Sequence, residues 1–157
     1  GYRSRLVGQE FATHRDASLY ASTPPLEAMR LVLSHAATVG NGEEKKHILI
    51  ADVKRAYFYA LVRRSLYIEL PKEDTLGGPD IIGKLRLNLY GTRDGASNWQ
   101  EHLAAPMVRS GFTRGACHPS IFWNETRRIM FLVHGDDYFC SGDASELAVR
   151  GGAQEGV

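Results

Sequence analysis

Apolar positions recur along this chain in two rhythms. Between Pro24 and Gly40 they return every three to four residues, at Leu26, Met29, Leu33 and Ala37. That spacing predicts a helix with one face on a core. Thr23-Pro24-Pro25 announces it, since Thr suits an N-cap and Pro is tolerated in the first turn; Gly40 and the turn Asn41-Gly42 end it. The same rhythm returns at Trp99, Leu103 and Met107, predicting a helix from Asp94 or Ser97 to Gly111 that Pro106 should kink. Elsewhere the pattern is that of strands. HILIAD (47–52) is short, apolar and β-branched, as expected of a buried strand, and stops at Asp52. Residues 2–11 read as a short basic strand, and LYIEL (66–70) and IIGKLRLNLYG (81–91) as further strands, with a helix or irregular turn over 54–62. SIFWNETRRIMFLVHGDDYFCSGD (120–143) reads as strand, turn, strand, tight turn, strand, turning at Asn124-Glu125-Thr126 and Gly135-Asp136-Asp137. The sum is an α+β domain around a mostly antiparallel sheet packed on helices.

Composition narrows the picture little. The 157 residues make about one domain, and a hydrophobic fraction of 43% supports a real core. Nineteen basic against 18 acidic residues leave a net charge of +1, so nucleic-acid binding would need locally clustered charge. Cys117 and Cys140 form no CxxC pair, which argues for reduced thiols in an intracellular protein. No apolar run approaches the roughly 20 residues that span a bilayer, and no signal-peptide pattern opens the chain. The opening GYRSRLVG reads as the interior of a longer polyprotein.

Chemistry concentrates in three carboxylates. Asp52 ends an apolar strand, and Asp136-Asp137 sit in a hairpin turn between IMFLV and YFCSG. Carboxylates beside a sheet core are costly unless paired or bound to a cation. If the Asp52 strand lies beside the hairpin, the acids converge and repel one another unless Mg²⁺ or Mn²⁺ compensates. Hard oxygen ligands suit those ions, which also bind phosphate oxygens, as two-metal phosphoryl transfer requires. The plain structural alternative is that Asp is common in turns, and Gly-Asp-Asp is hairpin chemistry alone.

With these residues in place, the chain resembles the reverse transcriptase domain of copia-type (Pseudoviridae-like) LTR retrotransposons, collinearly over residues 3–143. RLVGQEF is similar to the family's R-L-V-A-K-G-F, and PPLEAMRLVLSHAA to R-L-E-T-I-R-L-L-L-A-L-A-A. ADVKRAYFYALVRRSLYIELP resembles M-D-V-K-T-A-F-L-N-G-x-L-x-E-x-I-Y-M-x-Q-P, and KLRLNLYGTRDGASNWQEHL resembles R-L-x-K-S-L-Y-G-L-K-Q-A-P-R-A-W-Y. GFTRGACHPSIFW and FLVHGDDYFCSG are similar to G-F-x-x-S-x-x-D-P-S-L-F and L-L-V-Y-V-D-D-L-L-I-T-G. The resemblance implies the fingers and palm core of a right-hand polymerase, a single partial domain over 1–157 without thumb or RNase H.

It also implies roles by position. Asp52, Asp136 and Asp137 would be catalytic and would hold two Mg²⁺ or Mn²⁺ ions, with the Val53 carbonyl as a further oxygen. Tyr57 would be the steric gate that excludes a 2′-hydroxyl; taken by itself it is an ordinary half-buried aromatic. Tyr90-Gly91 would touch the incoming nucleotide, or be only a strand-ending turn. Arg3 and Arg5 would reach the triphosphate, or form an exposed basic strand face. The implied partners are an RNA or DNA primer-template, dNTP, and the rest of a polyprotein (thumb, RNase H, integrase), in the cytoplasm, a virus-like particle or the nucleus, with no membrane.

The chain departs from the family at four places. His134-Gly135 precedes the aspartates in place of Tyr-Val, Asp94-Gly95-Ala96 replaces Gln-Ala-Pro, Pro106 enters a normally continuous helix, and Cys117-His118 replaces an acidic position. An acid at 94 near a phosphate path should weaken nucleotide or template binding. The expectation is an RNA-directed DNA polymerase fragment with the site and little activity of its own. One rival is a degenerate or co-opted relic that does no chemistry. Another is an RNA-dependent RNA polymerase, against which Tyr57 argues.

Overall fold

The structure, a computed structural model, describes residues 6–11, 19, 21–38, 45–71, 73–74 and 81–147. These form two compact units: segments 1–21 and Lys54–Leu103 contribute to the first, Ser22–Val53 and the chain from Ala104 onward to the second. The architecture is mixed, with helices and a mostly antiparallel sheet.

The second unit is built on a five-stranded antiparallel sheet. Its strands are β1 (Lys46–Asp52), β4 (Thr113–Arg114), β5 (Ile121–Asn124), β6 (Ile129–His134) and β7 (Asp137–Asp143), in the order β1-β7-β6-β5-β4. The β5–β6–β7 meander follows the expected strand-turn-strand pattern. Helix α1 (Leu26–Ala36) covers one face of the sheet, where Ala28 and Val32 pack on Leu132 and are flanked by Met29, Met130, Ile121 and Phe139. The expected helix face is therefore corrected. Leu26 and Leu33 are exposed, and the small residues Ala28 and Val32 turn inward. Bulky side chains already fill the facing sheet, so only small ones let the helix axis approach closely. The helix also lacks a side-chain N-cap, Pro25 standing at that position, and its last residue is Ala36.

β1 corrects a second expectation. HILIAD is not buried: Ile48, Leu49 and Ile50 are 44%, 49% and 64% exposed, and only Lys46 at its start is buried. The cause is topological. Among the described residues β1 is the terminal strand of the sheet and pairs with β7 alone.

The first unit holds a 3-10 helix (Ala56–Tyr59), the small antiparallel pair β2 (Tyr67–Glu69) and β3 (Ile82–Lys84), and the start of α2 (Gly95–Arg109). The strand expected over 81–91 shrinks to β3 plus an isolated bridge between Leu61 and Leu87. The buried Asn88 sits beside that bridge: its backbone N–H and its side-chain amide both donate to the Ala60 carbonyl, at 2.9 and 3.1 Å, and its side-chain oxygen accepts from Asn98 at 2.9 Å. Residues 6–11 are not a strand, while 2–5 lie outside the described residues. α2 contains Pro106 and runs on to Arg109. The short α3 (Ala144–Leu147) follows β7 directly.

Candidate functional site

The antiparallel ladder between β1 and β7 pairs Lys46 with Asp143 at one end and Asp52 with Asp137 at the other. Residues directly opposite in such a ladder share a face, with Cβ atoms about 4.5–5.5 Å apart. Asp52 and Asp137 are thus side by side, and both are exposed. The ladder continues one step further, since the Val53 amide donates to the Asp136 carbonyl at 2.9 Å. That bond fixes the end of β1 to the turn that carries Asp136.

The turn itself is two residues long, Gly135-Asp136, closed by the pair His134 and Asp137. Gly135 has φ +64 and Asp136 is not in the positive-φ region. This matches the II′ pattern, in which the first central position favours Gly. Asp137 is therefore the first residue of β7 rather than part of the turn.

Successive strand side chains point to opposite faces, so Tyr138 and Asp137 diverge. Tyr138 lies half-buried against Phe131, ring centroids 5.0 Å apart. Burial pushes its phenol well above the usual range, and the nearby Asp136 carboxylate adds to the shift. The Asp136 carboxylate is thus near enough to act on the Tyr138 phenol. Among the described residues no three His, Cys, Asp or Glu side chains gather as a metal-ligand cluster. Asp52 and Asp137 together fit one hard divalent cation, whose ligands are carboxylate oxygens. Asp136 stands next to Asp137 in sequence, on the turn whose carbonyl accepts from the Val53 amide.

In the first unit, Tyr57 and Tyr90 come together. Their rings stack at 4.4 Å and 10°, with Phe58 edge-on to Tyr90 at 5.7 Å. Gly91 lies under the N-terminal segment: the Gly8 amide donates to the Tyr90 carbonyl at 2.7 Å, and a Cβ on Gly91 would stand 2.0 Å from the Gly8 oxygen. With φ +88, only glycine suits this crossing. Arg3 and Arg5 lie outside the described residues.

Two polar networks went unseen in the sequence. In the first unit Arg64 joins Glu10 at 2.5 Å and Asp94 at 3.1 Å, and Glu10 also accepts from the Arg93 amide at 3.0 Å. Burial works against both carboxylates, yet the Arg64 guanidinium holds both below the usual carboxylate range. The sequence pattern treats Asp94 as an acid placed to repel phosphate. It is instead buried and neutralised at the start of α2, where it also accepts from Asn98 at 3.1 Å. In the second unit His35, Lys46 and Ser141 join α1 to β1 and β7. The only local hint was Ser141, a polar residue at an inward-facing position of an apolar strand. Both cysteines are free, and burial pushes the Cys140 thiol up.

No described helix is long and apolar enough to cross a membrane. No protein-family model matches the chain, and no solved structure matches it. Relatives do appear among curated proteins. The chain is 33% identical to the Transposon Ty1-BL Gag-Pol polyprotein of Saccharomyces cerevisiae over 111 residues, 69% of its length. It is 26% identical over 111 residues to the Ty1-DR5 and Ty1-LR2 Gag-Pol polyproteins of the same organism. The chain spans 6% of the length of each of these relatives. Asp52 and Asp137 thus lie opposed at the end of one ladder in a chain similar to a short region of retrotransposon Gag-Pol polyproteins.

Proposed function

We propose that this chain is the fingers and palm region of a copia-type reverse transcriptase within a retrotransposon polyprotein. One observation carries the reading: Asp52 and Asp137 stand directly opposite each other at the end of the β1–β7 ladder, beside a two-residue turn that carries Asp136. This is a place where a hard cation and the phosphate oxygens of a nucleotide can meet. Asp52 and Asp137 would hold Mg²⁺ or Mn²⁺, with the Val53 carbonyl as a further oxygen. The ion, when bound, supplies the positive charge that offsets charge developing on phosphate. The reaction is transfer of a nucleotide from dNTP to a primer 3′-hydroxyl on an RNA or DNA template. Tyr57, supported by its stack on Tyr90, would select against a 2′-hydroxyl, and Tyr90-Gly91 would lie beside the nucleotide. Arg3 and Arg5 would meet the triphosphate. The primer-template grip would come from other parts of the polyprotein.

The test is primer extension by the polyprotein that carries this chain, comparing wild type with Asp52→Asn and Asp137→Asn. Loss of Mg²⁺-dependent dNTP incorporation in both variants is expected. Equal incorporation in wild type and variants would overturn the assignment, and preference for rNTP would move it to an RNA polymerase.

A second reading, a relic that folds without chemistry, is favoured by the departures from the family pattern at His134-Gly135 and Pro106. Manganese titration separates the two. A working site binds Mn²⁺ and gains thermal stability with the logarithm of the Mn²⁺ concentration above its Kd; a relic does not.

A further inference from the structure

The ladder that ends at the aspartate pair is fastened at its other end by one histidine. His35, in the last turn of α1, has Nδ1 2.7 Å from the Ser141 hydroxyl on β7 and Nε2 3.0 Å from Lys46 Nζ on β1. Lys46 Nζ also donates to Thr38 Oγ1 at 2.6 Å. The Trp123 ring stands edge-on to the imidazole at 5.4 Å. These partners dictate the protonation state. An ammonium only donates, so Nε2 must accept. A neutral imidazole then carries its single proton on Nδ1 and donates to Ser141. The imidazolium has two donors and no acceptor, so it would lose the Lys46 bond and set two cations about 3 Å apart.

We propose that His35 is a neutral, Nδ1-protonated latch that fastens α1 to the β1–β7 ladder, and that acidification releases it. Three other charged groups act on the imidazole. Burial and the cations Lys46 on β1 and Arg128 on the β5–β6 turn disfavour a proton on it; Asp143 on β7 favours one. Asp143 is itself buried, with Oδ1 lacking a hydrogen-bond partner, and does not win: the net direction for His35 is below the ordinary histidine value of 6.5. The linkage has one sign. Above about pH 6.5 the histidine is neutral folded or unfolded, and nothing is lost. Below it the unfolded chain binds a proton that the folded chain refuses, so stability falls with pH until the folded value is reached. The latch grips the same two strands that present Asp52 and Asp137, so its release loosens them from the far end. It holds whether or not those aspartates bind a metal.

Nitrogen-15 NMR of the full chain tests this directly. At pH 7.5, His35 should show the neutral Nδ1–H form, and its titration midpoint should lie below 6.5. The Nε2–H form, an imidazolium, or a midpoint at or above 6.5 overturns the proposal. Urea unfolding of wild type and His35→Gln between pH 7.5 and 5 gives a second reading. Glutamine can keep both hydrogen bonds but cannot titrate. The wild-type folding constant should fall below pH 6.5 more steeply than the variant's, by up to tenfold per pH unit. Parallel profiles overturn the latch. If the glutamine variant does not fold, the wild-type NMR titration alone decides.

Discussion

Replacing Asp137 by asparagine should make the metal-free protein more stable. Asp52 and Asp137 are opposed at the open end of the β1–β7 ladder, and both are exposed. Like charges at directly opposed positions destabilise a sheet by about 0.2–1 kcal/mol. Asparagine keeps the shape and removes one charge, so that repulsion vanishes. In a chain of this size, 1 kcal/mol corresponds to about 2–4 °C in Tm. The variant should therefore melt up to about 4 °C higher in low salt with EDTA. The gain should fade in 1 M salt, where screening reaches about 3 Å. Adding Mn²⁺ should reverse the order, because only the wild type has two charged carboxylates to offer. The assay is differential scanning fluorimetry of both proteins with EDTA or Mn²⁺, at low and high salt. An asparagine variant less stable than wild type in EDTA would refute the reasoning, because it would mean that Asp137 is held by a stabilising partner. Equal Mn²⁺ shifts in both proteins would refute the metal role.

Three further outcomes follow from the packing. Leu132→Ala removes a fully buried side chain from the cluster under α1 and should cost about 2–5 kcal/mol in urea unfolding. Gly91→Ala puts a methyl against the Gly8 oxygen at φ +88, which should destabilise the first unit by about 1–3 kcal/mol, measured by hydrogen exchange at Asn88 and Asn98. Arg64→Met strips the counter-charge from Glu10 and the buried Asp94 and should cost on the order of 2 kcal/mol at pH 7; a fully buried pair costs about 3–5, and Arg64 is partly exposed. The wild-type contribution of those carboxylates is present above their unfolded values near pH 4 and is lost as pH falls through their lower folded values, so the Arg64→Met penalty should shrink in acid.

The parts of the fold that were legible in the sequence are those where pattern and turn report the same thing. The β5–β6–β7 meander is a series of short apolar runs broken at turn residues, and Gly135 supplies the positive φ that its tight turn requires. Strand neighbours were not legible. The apolar run Ile48-Leu49-Ile50 has the composition of a central strand, yet β1 is an edge, because nothing local encodes which strands lie on either side. The face of α1 was ambiguous for a related reason. Leu26 and Leu33 mark one stripe, Ala28 and Val32 another, and the bulk of the sheet opposite chose the second. The burial of Asn88 was hidden for the same reason, since its side chain is held by Ala60 and Asn98, partners distant in sequence.

The candidate site follows the same division. That Asp52 and Asp137 lie together is a property of register, since a shift of one residue would send Asp52 to the other face. Asp136 is set by the turn and not by that register, since it is the second central residue between the paired His134 and Asp137. Where the Asp136 carboxylate stands relative to the other two therefore depends on the backbone at Gly135-Asp136. Gly135 has φ +64, and nothing stands within 4 Å of where its Cβ would be. The His134-Gly135 pair, a departure from the copia-type pattern, thus supplies the one residue type that takes this backbone without strain directly before Asp136. A cation shared by the carboxylates would favour whichever turn geometry brings them together, because only that form satisfies it. The glycine therefore does not by itself mark decay of the site.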